Sequence, residues 1–170
     1  MRIMQKETLR RQRERRLLKW ISIGALIVVI VIIMLIFVSQ RPMRQARTAS
    51  INVAKRDENV ENVDSFYTSD LNHTFYTIGG TNAKGKKLYV ITNQKHHLVR
   101  VVPVSHGVSR DYVVSQVINQ DHAHKIINVA PSIFVGKTVW IASYENRNRQ
   151  LCYQTFRYRD GKSIQLITNV

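Results

Sequence analysis

FYTIGGTNAKGKKLYVITNQKHHLVRVV, residues 75–102, decides how this chain is read. Its centre, from Gly80, runs G-x-x-x-x-G-K-K, one residue short of a phosphate-binding loop. Such a loop joins a strand to a helix, so that backbone N–H groups and the helix dipole cradle phosphate, and it places Ser or Thr after the lysine to hold Mg²⁺. Here Lys87 fills that place, and KLYVIT, which follows, is rich in β-branched and aromatic residues. No acidic residue at the end of a later apolar strand offers a second metal ligand. GGTNAKGKK is therefore a β-hairpin turn, and nucleotide hydrolysis is excluded.

With that turn fixed, the neighbours fall into a meander. VENVDSFYT, TFYTIGG, KLYVIT and LVRVVPV read as strands with short polar connections. GVSRDYVVSQVINQD then reads as a helix of about three turns. Ser109 is its N-cap, Asp111 lies in its first turn, and Val113, Val114, Val117 and Ile118 share one face. Strands return in KIINVAPSIFVG, TVWIASYE, LCYQTFRYR and SIQLITN. Pro131 marks the first of these as an edge strand or a bulge. Asp160-Gly161 predicts a two-residue hairpin between the last two. Residues 139–167, VWIASYENRNRQLCYQTFRYRDGKSIQLI, repeat the rhythm of residues 75–102: aromatic-led strand, basic polar hairpin, aromatic strand, short turn, aliphatic strand. The pattern predicts an internal duplication of an α+β unit, a helix packed across a small curved sheet. Ahead of the first unit, spaced small apolar residues from Ala46 to Ala54 predict a weakly amphipathic helix over 43–58 that continues out of the apolar run before it, with Pro42 near its start, where proline is tolerated.

The longest apolar run, WISIGALIVVIVIIMLIFV at 20–38, carries no charge. At about 1.5 Å per residue such a run spans roughly 28 Å, close to the hydrocarbon thickness of a bilayer. It outlasts the apolar region of a cleaved signal peptide, and Phe37 and Ser39 make a poor small-x-small cleavage site. An uncleaved membrane anchor is expected. Residues 1–19 hold eight basic and two acidic side chains, against five basic residues just beyond the run, so the tail belongs in the cytoplasm and the remainder outside. From Arg41 onward eighteen basic side chains oppose nine acidic ones, a net +9 that suits anionic surroundings. No nucleic-acid partner is expected. The lone cysteine, Cys152, sits among Leu151, Tyr153 and Phe156 and reads as a small hydrophobe in a buried strand.

No catalytic, cofactor-binding or metal site is expected. His96 and His97 fall in a turn; His122 and His124 form H-x-H, which could face one side of a strand, but no third or fourth ligand accompanies them. Ser105, His106 and Asp111 lack a nucleophile elbow. The feature above background is a pair of basic hairpin tips: Lys84, Lys86 and Lys87 on one, Arg147 and Arg149 on its counterpart in the second unit. These five residues are the candidate partner contacts, with the sheet face around Tyr76 and Tyr89 as the next choice.

In order and spacing, YTIGGTNAKGKKLYV (76–90), GVSRDYVVSQVI (107–118), VWIASY (139–144) and YRDGKSIQLI (158–167) resemble the cell wall elongation regulator TseB-like, or YpmB-like, proteins of Gram-positive bacteria. The resemblance implies a basic cytoplasmic tail at 1–19 and a transmembrane helix at 20–38. It further implies a linker helix with a first PepSY-like unit at 41–104 and a second PepSY-like unit at 105–170. The fold class it implies is α+β, an N-terminal transmembrane helix followed by two cystatin-like helix-plus-antiparallel-sheet units. The implied role is non-enzymatic: regulation of cell elongation by binding a class B penicillin-binding protein, a wall transpeptidase, from a single-pass position in the cell membrane. Anionic wall polymers are further candidate partners. The alternative is an extracytoplasmic protease-inhibitor or chaperone-like module. Two features depart from the family pattern: the strongly basic outer part and the shortened final turn, Arg-Asp-Gly-Lys.

Overall fold

The computed structural model describes the backbone of residues 2–168 and the side chains of residues 24–35 and 42–168. The chain forms two compact units, residues 1–44 and 45–170. In the first, helix α1 (Arg2–Glu58) begins and Leu26 to Leu35 present ten consecutive apolar side chains, 47–65% exposed. Among the described residues no helix is long and apolar enough to cross a membrane. The span expected at 20–38 falls outside the described side chains except for residues 24–35, and the side chains of the tail at 1–19 lie outside them altogether. The linker helix forms as expected, as a continuation of the helix before it; the difference is that Pro42 lies inside α1 rather than near a helix start. Proline removes one N–H from a helix ladder, and here a single missing rung is bridged by the helical residues that follow.

In the second unit the end of α1 precedes an antiparallel meander: β1 (Val60–Asp70), β2 (Thr74–Asn82), β3 (Lys87–Asn93) and β4 (Leu98–Pro103). Register sets the two faces. Ile78 opposes Val90, which opposes Val101, and this face is covered by α1. Ala54, Val60, Ile78 and Val90 form the buried cluster there, with Ile51, Phe66 and Val101 packed against it. A buried hydrogen bond of 3.0 Å between the hydroxyls of Ser50 and Thr92 ties helix to sheet.

The same arrangement follows once more. Helix α2 (Arg110–Asn119) precedes β5 (Lys125–Phe134), β6 (Lys137–Glu145), β7 (Leu151–Arg157) and β8 (Ser163–Thr168) in a second four-stranded meander. Ser109 caps α2 as expected: its Oγ accepts the Tyr112 N–H at 3.1 Å. Val113 and Val117 are fully buried against Trp140, Ala142, Tyr144, Cys152 and Phe156. Ile118, placed on the same face by periodicity, is instead 47% exposed: it lies about 100° round the helix from Val117, which is fully buried in the same last turn. The Asp160-Gly161 turn is also longer than expected. β7 ends at Arg157 and β8 starts at Ser163, and the loop folds Tyr158 into the core with its hydroxyl donating to the Pro103 carbonyl at 3.0 Å.

β5 is an edge strand of the second sheet, as Pro131 predicts, and its free edge does not face water. It lies across the first sheet's other face. Thr77 Oγ1 donates to the Pro131 carbonyl at 2.8 Å, Asn128 Nδ2 donates to the Thr68 carbonyl at 2.7 Å, and Ser69 Oγ donates to Ser132 Oγ at 2.6 Å. Buried polar groups are thereby satisfied and an exposed edge is removed. Beside this seam the Tyr89 ring meets Trp140 edge-on at 5.7 Å, so one hydrophobic core, from Tyr89 and Ile91 to Phe156 and Tyr158, spans both sheets.

Candidate docking surfaces

The two basic tips are built by one turn geometry. At the β2–β3 tip the Asn82 side-chain oxygen accepts the N–H groups of Lys84 and Lys86 at 3.1 and 3.0 Å, and Gly85 takes φ +74°. At the β6–β7 tip Asn146 accepts from Asn148 and Gln150 at 2.9 and 3.0 Å, and Arg149 takes φ +62°. The β3–β4 turn repeats it with Asn93, Lys95, His97 and His96 at φ +60°. An asparagine oxygen that replaces water for two turn amides stiffens the loop. The structure thus places Lys84, Lys86, Lys87, Arg147 and Arg149 as exposed side chains on two ordered tips, one in each sheet. Arg149 is bridged to Glu145 at 3.4 Å; Arg147 forms no ion pair among the described residues.

The second choice, a face shared by Tyr76 and Tyr89, does not exist. Tyr89 opposes Gly79, and Tyr76 opposes Thr92, so the two rings leave opposite faces of the first sheet. Tyr76 stacks between Phe66 and His96, with centroids 6.0 and 5.6 Å away. Tyr89 is 9% exposed in the inter-sheet core, where burial, with Tyr67 beside it, pushes its hydroxyl up to about 12.

Among the described residues the chemistry-bearing side chains named above do not converge. His122 and His124 precede β5 rather than lying on it. Among the described residues no three His, Cys, Asp or Glu side chains approach closely enough to hold a metal. Ser105 and His106 lie in a single 3-10 turn (Val104–His106), and Asp111 starts α2. Cys152 is buried, with its Sγ 3.6 Å from the Gln150 carbonyl. Burial pushes the Asp121 carboxyl up, against the hydrogen bond from Gln154, and its Oδ2 has no partner among the described residues. Sequence reasoning passed over the turn asparagines, whose signal is an Asn three residues ahead of a left-handed position. It also passed over the outer edge of β8, where Leu166 is 48% exposed.

Residues 49–93 match the family model described as the cell wall elongation regulator TseB-like domain. The fold is similar to that of the YpmB protein from Bacillus subtilis, at 22% identity and a TM-score of 0.59, over 71% of this chain and 95% of that one. A Clostridium difficile 630 protein titled as a lipoprotein candidate aligns over 72% of this chain and 91% of its own, at 8% identity. Its TM-score of 0.39 is too low to bear on the fold. No curated protein sequence matches the chain.

Proposed function

From the premise that this chain is TseB/YpmB-like, we propose that it is a membrane-anchored, non-enzymatic regulator of cell wall elongation that acts by docking onto a wall transpeptidase. The two helix-plus-meander units are read as cystatin-like, PepSY-like modules that serve as a rigid carrier. The ten exposed apolar side chains from Leu26 to Leu35 support an anchor, since such a surface is costly in water. The observation that carries the docking is the pair of tips: equivalent hairpins of two sheets, each locked by an asparagine, each presenting exposed cations. Their targets are anionic, either an acidic patch on the transpeptidase or a wall polymer. Surface charges act over only about 8 Å at physiological salt, so the five cations work together and no single one dominates.

The decisive variant replaces Lys84, Lys86, Lys87, Arg147 and Arg149 with Gln. The expected result is an unchanged circular dichroism spectrum, weak partner recovery that no longer varies with salt, where recovery by the unsubstituted chain falls gradually as salt rises, and abnormal cell length. A folded quintuple variant that recovers the transpeptidase normally at every salt concentration and complements a deletion reduces the tips to solvated turns. A reporter fused after Val170 should be active only outside the cell; cytoplasmic activity reverses the orientation.

A further inference from the structure

The internal duplication supplies its own control, because the outer strands β4 and β8 are equivalent. Each is the fourth strand of its meander, and each carries one extra residue next to its hairpin, Val99 between Leu98 and Arg100 and Ile164 between Ser163 and Gln165. Equivalence then runs Arg100 to Gln165, Val101 to Leu166, Val102 to Ile167 and Pro103 to Thr168. β4 is defended as open edges usually are, by a charge and a proline. At the same positions β8 has Gln165 and Thr168, and it contains neither charge nor proline. β1 carries two register irregularities with Glu61 and Asp64, and the β5 edge is covered by the first sheet. Among the described residues the least guarded edge is that of β8, whose one irregularity, at Ile164, leaves Gln165 to Thr168 in regular register with neither charge nor proline.

Cover on the helix-facing side differs as well. Val101 packs against the α1 cluster, whereas its equivalent Leu166 is 48% exposed. The covering helices also differ in length. The part of α1 in the second unit runs from residue 45 to Glu58, fourteen residues, while α2 has ten. At about 1.5 Å per residue the second sheet lacks roughly 6 Å of helix.

We propose that the β8 edge accepts an extended strand from a partner protein, a segment of alternating apolar side chains with acidic residues at both ends. Main-chain hydrogen bonds to an unpaired edge supply affinity, and side-chain contacts supply choice. The acidic ends follow from what flanks β8. Arg159 and Lys162 lie exposed in the loop before Ser163; Arg147 and Arg149 lie on the tip beyond Cys152, which opposes Thr168. Six strand residues set these cations roughly 20 Å apart. A second copy of the chain would bring its own net +9 to the same edge, which disfavours it as the occupant. The inference concerns how a partner is gripped and stands whichever protein supplies the strand.

The test uses the full chain in detergent micelles and a synthetic peptide of alternating Thr and Val with two Glu at each end. A version with two Lys at each end is the comparison. The expected result is slowed amide exchange at residues 163–168 and at least tenfold tighter binding of the Glu-ended peptide. Leu166→Ser combined with Thr168→Pro should abolish both, while Val99→Ser on β4 should change neither. Equal binding by the double variant, or protection confined to the β2–β3 and β6–β7 tips, overturns the proposal. So does a concentration-dependent dimer that the double variant removes, which would make a second copy the occupant. If the peptide binds as expected and no transpeptidase is recovered from cells, the edge stands and the elongation reading fails.

Discussion

Arg149 and Gly85 occupy the same step of the same turn, one at φ +62° and the other at φ +74°. A non-glycine residue in the left-handed region costs about 1–2 kcal/mol, whereas glycine loses roughly 0.5–1 kcal/mol more entropy than alanine on folding. The Arg149–Glu145 bridge, 69% exposed on the arginine side, offsets little of that cost. Arg149→Gly should therefore stabilise by about 0.5–1 kcal/mol, and Gly85→Ala should destabilise by about 1 kcal/mol, both read from denaturant midpoints. Opposite signs from one turn type would trace the effect to the backbone; loss of stability in both would mean that the Arg149 side chain matters more than its conformation. Asp121 carries a second residue-scale prediction. Burial raises its pKa, so any stability it contributes is present below the unfolded carboxylate range and is lost as pH rises through the folded value. Asp121→Asn should raise Tm at pH 7, with the gain closing near pH 3, below about 3.9 where unfolded aspartate is already protonated. A gain of the same size at both pH values would remove the charge explanation.

Helix α2 shows what an element can announce in sequence. Ser109 and Asp111 mark its start by chemistry that acts within one turn, and the Ser109 hydroxyl does bond the Tyr112 N–H. Ser109→Ala should cost about 1 kcal/mol, measurable by thermal melting; a loss below roughly 0.3 kcal/mol would mean that water caps the helix equally well. Such local signals made the eight strands, the duplication and the exposure of the five tip cations readable, since turn residues and periodicity act over a few positions. The missed features depend on distant partners. That Tyr76 and Tyr89 leave opposite faces follows from the β2–β3 register, in which a shift of one residue would reverse the result. The exposure of Ile118 and Leu166 depends on how α2 is turned and seated over the sheet, and the long 158–162 loop on the fit of Tyr158 against Gly107, where even a Cβ would collide with the ring. Pro42 misled for the converse reason: its local preference is real, but a helix of 57 residues tolerates one lost rung.

At the scale of the whole second unit, two repeated sheets share one core rather than owning one each. Trp140 is the residue through which they meet. Its ring is fully buried, stacks on Tyr158 at 6.0 Å, meets Tyr89 of the first sheet at 5.7 Å, and donates its indole N–H to the Val108 carbonyl at 3.1 Å. Trp140→Ala removes that contact area and leaves the Val108 carbonyl without its donor, so the cost should be about 3–5 kcal/mol. A loss of this size approaches the total stability of a small domain. The location of the damage is more informative than its size. If the two sheets are one cooperative unit, amide protection in β3 of the first sheet must fall together with protection in β6 and β7, although Trp140 belongs to the second. Hydrogen exchange on the folded variant measures both at once. Protection that collapses in the second sheet alone would show that the seam at Thr77, Asn128 and Ser132 joins two independently stable modules. A docking force applied at one tip would then not reach the other.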